Sequence, residues 1–203
     1  FMGMSAKVYI TGPEADEATE KLDKTTAAIA IKKSASGELS YIGIPRSEYD
    51  KELAKAIDDE KNVVELRTGE KTVSYRTTDG KTRKYPVVGG KWEGSRKSLD
   101  GKQIIATQLV NMKSANILEK AGLGKAGETI AHELLEGYYG AVENPEANAS
   151  DRSAYLNAHN KSNSIYPQIP IILEYDEKTG KIYALPVRKG PVPRTEVGTI
   201  TTK

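Results

Sequence analysis

The sequence predicts an α+β fold: a mixed or antiparallel sheet packed on one long helix, with a small N-terminal α/β portion ahead of it. Three patterns predict this. Residues 5–68 read as strand, helix, hairpin, helix and strand, an order that makes a compact layer. Residues 72–88 alternate like antiparallel strands, and Ile104–Val110 is a strongly β-prone run. Gly127–Val142 then carries its apolar residues at helical spacing.

Lys7–Ile10 reads as the first strand. Gly12-Pro13-Glu14 opens an acidic helix through about Thr25, with proline early and Glu and Asp in the first turn, where the helix dipole favours them. Ala27–Lys32 and Leu39–Ile44 flank Ser34-Ala35-Ser36-Gly37, which gives a hairpin. Ser47 can cap a helix through about Ile57, and Asn62–Arg67 is a further strand. A turn is expected at Asp79-Gly80. Gly89–Gly101, rich in Gly, Ser and charge around Trp92, reads as a loop. Gly122, Gly124 and Gly127 break the chain before the long helix. Ser150-Asp151 starts a second, short helix carrying Tyr155 and His159, and Ile169–Tyr175 with Lys181–Val187 forms a closing hairpin. This organises the chain as an N-terminal portion over 5–68, a second portion over 69–190 that can be continuous with it, and a flexible tail over 191–203.

Composition narrows the possible functions. The chain has 203 residues, enough to bury a substantial core, and its net charge of +2 argues against nucleic acid as a partner. Cysteine is absent, which excludes disulfides, Cys-ligated zinc and thiol catalysis. Eleven Tyr stand against one Phe and one Trp, a bias that suits half-exposed strands and grooves. No apolar run is long enough to cross a membrane. Phe1-Met2-Gly3-Met4 reads as a junction, so that a native leader could have been cut away. The triplets Asn148-Ala149-Ser150 and Asn160-Lys161-Ser162 read as chance matches to the glycosylation signal.

The residues that carry chemistry are His132-Glu133-Leu134-Leu135-Glu136 and the only other histidine, His159. A helix puts His132 and Glu136 one turn apart on one face, with Glu133 about 100° round the axis. Two ligands at i and i+4 beside a carboxylate is the geometry of the H-E-x-x-H metalloprotease helix, here with a glutamate for the second histidine. His132, Glu136 and His159 would supply two imidazoles and a carboxylate to zinc, or to iron or manganese, leaving positions open for water and substrate. Glu133 would act as general base. Tyr139 and Tyr155 are candidate supporting residues, each also readable as an ordinary core-edge tyrosine. Gly137, costly inside a helix, points to a close backbone approach. Ile104–Val110 is expected as an edge strand able to take an extended peptide.

At these residues the chain resembles the C-terminal region of bacterial Rhs-repeat-type surface proteins, which carries a His-Glu-x-x-Glu-Ala-Tyr helix followed by Tyr-Leu-Asn-Ala-His-Asn. Here the two segments are His132-Glu133-Leu134-Leu135-Glu136-Gly137-Tyr138 and Tyr155-Leu156-Asn157-Ala158-His159-Asn160. Val8-Tyr9-Ile10-Thr11-Gly12, Ala18-Thr19-Glu20-Lys21-Leu22 and Ala54-Lys55-Ala56-Ile57-Asp58-Asp59-Glu60 extend the similarity over residues 7–166. The resemblance implies a zincin-like, metallopeptidase or toxin domain, secreted or at the cell surface, binding metal through His132, Glu136 and His159. It does not fix the substrate.

Two alternatives stand beside this reading. Lys81, Arg83, Lys84, Lys91, Arg96, Lys97 and Lys102, with Tyr85 and Trp92 nearby, would suit a metal-dependent nuclease toxin, although Asp79, Glu93 and Asp100 interrupt them. Alternatively, Ile130, Ala131, Leu134, Leu135, Tyr138, Ala141 and Val142 make one apolar arc, and His132, Glu133 and Glu136 are merely its solvated polar counterpart. The protein would then be a non-catalytic surface or scaffold module with a degenerate helix.

Overall fold

The computed structural model describes residues 8–76, 80–165, 171–176, 178–186 and 195–199. Its elements run β1 (Val8–Thr11), α1 (Ala15–Asp23), β2 (Ile29–Lys33), β3 (Leu39–Gly43), α2 (Glu48–Asp58), β4 (Asn62–Thr68), β5 (Thr72–Arg76), β6 (Thr82–Pro86), β7 (Gly90–Lys97), β8 (Ile104–Val110), α3 (Met112–Lys120), α4 (Ala126–Glu143), α5 (Arg152–Ile165), β9 (Ile171–Asp176), β10 (Lys181–Pro186) and β11 (Thr195–Thr199). The α+β class is as expected. So are the β2–β3 hairpin and the cap of α2, where Ser47 Oγ accepts from Asp50 N–H at 2.9 Å. Asp79 of the expected turn lies outside the described residues.

The central sheet has the order β1-β4-β8-β7. β1 and β4 pair parallel, as do β4 and β8, while β7 is antiparallel to β8. Strands from both halves of the chain therefore share one sheet, and helix α4 lies across it. Val8, Ile10, Val64, Leu66 and Val110 of the sheet meet Ile130, Ala131, Leu134, Leu135 and Tyr138 of α4, with Leu22 and Leu53 completing the cluster. Full burial of each such Leu or Ile contributes about 1.5–3 kcal/mol, so this seam is the main source of stability for α4.

Four expectations are corrected. Residues 90–97 form β7 instead of a loop. Gly90 and Gly94 weaken strand propensity there, but hydrogen bonding to β8 and the irregular register between Trp92 and Ser95 accommodate them. β8 is an interior strand, flanked by β4 and β7, so the edges of this sheet belong to β1 and β7. Met112–Lys120 is a helix the reading did not contain, capped by Asn111, whose side chain accepts from Ser114 N–H at 3.3 Å. Thr195–Thr199, placed in a flexible tail, pairs with β10 as β11.

The bulge in β7 ties down the connection between α4 and α5. Ser95 N–H donates to Ala147 O at 2.8 Å, Ser95 Oγ donates to Asn144 O at 2.7 Å, and Gly94 bridges to Asn148. The α4–α5 turn is thereby held against the sheet, which sets where α5 runs.

Gly137 marks the close approach its position suggests. A Cβ there would lie 3.0 Å from Val64 Cγ1 and 3.4 Å from Gln108 Cβ. Gly137→Ala gains about 1 kcal/mol of helix propensity, yet overpacking a filled seam costs about 1–3 kcal/mol. The variant is expected to show a lower urea midpoint than the parent; an unchanged or raised midpoint would mean the seam has slack.

Candidate metal centre

Helix α4 is buried almost all round. His132 is 0 % exposed, Glu133 7 % and Glu136 2 %, so these residues are not a solvated face. Periodicity reveals the apolar arc that meets the sheet; the polar arc is covered in turn by α5 and β8. Burying such groups costs several kcal/mol each unless they are paired, which makes their partners decisive.

The partners converge on one point. His132 Nε2 lies 3.1 Å from His159 Nδ1, His159 Nδ1 lies 2.7 Å from Glu136 Oε2, and His132 Nε2 lies 3.5 Å from the same oxygen. A tetrahedral zinc ion holding its ligands at about 2.0–2.1 Å separates them by about 3.3 Å, so this triangle has the size of one face of that polyhedron. The triad could hold a metal. α4 supplies His132 and Glu136 one turn apart, and α5 brings in His159, whose side chain is 28 % exposed and forms the open side.

Each of the three residues is held from behind. His132 Nδ1 stands 3.2 Å from Ser162 Oγ, and Asn163 Nδ2 stands 3.0 Å from His159 Nε2. Gln108, fully buried on β8, donates from Nε2 to Glu136 Oε1 at 3.0 Å and also to Glu133 Oε2. Burial works to raise the Glu136 pKa, but the neighbouring histidines His132 and His159 outweigh it and hold the carboxyl below its ordinary value. Glu133 goes the other way. Burial, reinforced by the charge of Glu136, pushes it well above the usual carboxylate range, and the bond from Gln108 only partly opposes this.

Glu133 thus sits beside the triad, coupled to it through Gln108, and is not one of the three ligands. Gly90 of β7 lies directly against it: a Cβ at that position would overlap the Glu133 carboxyl. Tyr155 stacks on His159, with centroids 5.4 Å apart and planes at 27°, and burial raises its hydroxyl pKa. Tyr139 lies one turn beyond Glu136, and its hydroxyl donates to Glu52 Oε2 at 2.8 Å.

Gln108, Ser162 and Asn163 were missed by the reading of the sequence. Signals for them exist. Gln108 is the long polar residue inside the apolar run Ile104–Val110, and Ser162 and Asn163 stand three and four places after His159 on one helix. Of the basic stretch, Arg96 pairs with Glu65, Lys97 with Glu146 and Lys102 with Asp100, while the side chains of Arg83, Lys84 and Tyr85 lie outside the described residues.

Fold and site together define a class: an α+β protein with a buried centre of two histidines and one carboxylate that could hold a metal ion. No family model, curated protein or solved structure matches the chain. None of its described helices is long and apolar enough to cross a membrane.

Proposed function

We propose that this chain is a metal-dependent hydrolase, a zinc metallopeptidase-like domain of zincin type. The observation that carries the proposal is the convergence of His132 Nε2, His159 Nδ1 and Glu136 Oε2, each buried or half-buried and each backed by a hydrogen bond on its far side. Two neutral imidazoles and a carboxylate suit zinc, and also iron or manganese. When bound, such an ion lowers the pKa of a coordinated water towards neutrality and polarises a substrate carbonyl.

The remaining steps belong to the chain's own residues. Glu133, beside the triad but not one of its three converging groups, takes the proton from the attacking water as general base. Tyr155, stacked on His159, offers a hydroxyl to charge developing on the open side. A polypeptide substrate would pair along β7, the edge strand nearer Glu133, in place of β8. The bulge at Gly94 and Ser95 is already engaged by Ala147 and Asn148, so residues 90–93 are the stretch that would receive it, beginning beside Glu133. The resemblance to Rhs-repeat-type proteins supports the zincin reading and a bacterial, secreted or surface-associated setting with a toxin-like role. A nucleic-acid substrate is disfavoured by the ion pairs that neutralise Arg96, Lys97 and Lys102.

The test is metal content. Protein purified without chelator, or dialysed against zinc at neutral pH, is expected to hold close to one ion per chain, and the His132→Ala/His159→Ala double variant to hold none. A parent that takes up no zinc, iron or manganese leaves the triad as a hydrogen-bonded structural cluster in a non-catalytic module.

A further inference from the structure

The two imidazoles are held differently, and the difference lies in the hydrogen-bonding capacity of the α5 residues behind them. Ser162 Oγ donates its one hydrogen to His132 O at 2.9 Å. Towards His132 Nδ1, 3.2 Å away, it can therefore only accept. His132 is fixed as the Nδ1–H tautomer, with the Nε2 lone pair facing the centre. It is preset for a cation.

His159 is not. Its Nδ1 lies 2.7 Å from the Glu136 carboxylate, so in this arrangement Nδ1 carries the hydrogen and donates it. Nε2 is then the acceptor and takes a hydrogen from Asn163 Nδ2 at 3.0 Å. That tautomer cannot ligate through Nδ1. The Asn163 amide, however, has a second face: Oδ1 is buried and has no partner among the described residues. Turned over, the same side chain accepts Nε2–H.

We propose that Asn163 is a positioning residue that turns over as the site fills, letting His159 exchange its Nδ1–H form for the Nε2–H form that leaves Nδ1 free to bind a divalent cation. This rests on the metal reading above. Serine 162 cannot do the same for His132, because its hydrogen is committed to the backbone. One histidine is therefore rigid in tautomer and the other follows occupancy. The exchange releases the Nδ1 proton to solvent and takes up one proton from solvent at Nε2, so the ring stays neutral.

Two measurements test it, both on the full chain with zinc as probe. With only two histidines, ring-nitrogen NMR assigns each tautomer directly. Zinc is expected to move His159 from Nδ1–H to Nε2–H while His132 keeps Nδ1–H throughout. A His159 already in the Nε2–H form before zinc overturns the proposal. The second measurement is zinc affinity. Asn163→Ala, which can accept nothing, is expected to bind about 10–100-fold more weakly. Asn163→Asp, an obligate acceptor of Nε2–H, is expected to bind at least as tightly as the parent. An Asp variant weakened to the level of the Ala variant shows that Asn163 acts only through packing and overturns the proposal alone. A parent that binds no zinc overturns the metal centre and the proposal with it.

Discussion

Replacing Glu133 by glutamine is expected to leave zinc content unchanged and to cut turnover of a degenerate peptide library by about 10²–10⁴-fold, the usual weight of a general base. The carboxyl is not among the three converging ligands, so the variant keeps them all. It is also close in shape, and its remaining carbonyl oxygen can still accept from Gln108. The same substitution has a second, independent signature in metal-free protein. Glu133 has its folded pKa raised above the unfolded value, so the fold binds its proton more tightly than the unfolded chain does. Stability contributed by the protonated form is present below the unfolded value of about 4.3 and is lost as pH rises towards the raised folded value. Glutamine carries no such slope. The variant is expected to exceed the parent in stability at pH 7–8, with the gap closing towards pH 4, as read by urea denaturation in chelator. Glu136 works in the opposite sense, its stabilisation being present above the ordinary carboxylate pKa and lost as pH falls through the lowered one. Parent-like turnover in Glu133→Gln would remove Glu133 from the chemistry.

Stripping the metal is expected to lower Tm by about 5–15 °C. An ion at 100–1,000 times its Kd stabilises the folded state by about 2.7–4.1 kcal/mol, and for a chain of this size each kcal/mol moves Tm by about 2–4 °C. The effect reaches the whole fold because the ligands lie on two helices, α4 seated on the sheet and α5 tied to it through the α4–α5 turn and Ser95. His132→Ala should abolish the response, so that its Tm is the same with zinc or with chelator. A parent whose Tm ignores both would contradict the metal centre.

Much of the site was legible in the sequence because helix periodicity is short-range. Glu136 follows His132 by one turn, and any helix there places both on one face; His159 needed only a reversing loop. Burial of the pair was not legible, since the apolar arc accounts for one side of α4 and says nothing of what covers the other. Strand β7 was hidden by Gly90 and Gly94, residues whose propensity argues for a loop but whose missing side chains admit Glu133 and the α4–α5 turn. Helix α3 was hidden because its first turn carries no acidic residue, unlike that of α1, although Asn111 before it and Gly122 after it are fair punctuation. The hydrogen bonds of Gln108 depend on how β8 is registered against β4 and crossed by α4, which no local pattern encodes.

The parallel pairing of β1, β4 and β8 also has a kinetic meaning. Val8 sits opposite Val64, and Val64 opposite Ala106, so each pairing closes a long span of chain before it returns any hydrogen bonds. The helix bearing His132 finds its seat only on that completed surface, since Val64 and Gln108 are the side chains that receive it. The histidines are therefore expected to reach their final separation late in folding, which pulse-labelled hydrogen exchange on α4 would read. A fragment holding both helices but lacking the first two strands of the sheet would carry every ligand and no place to assemble them.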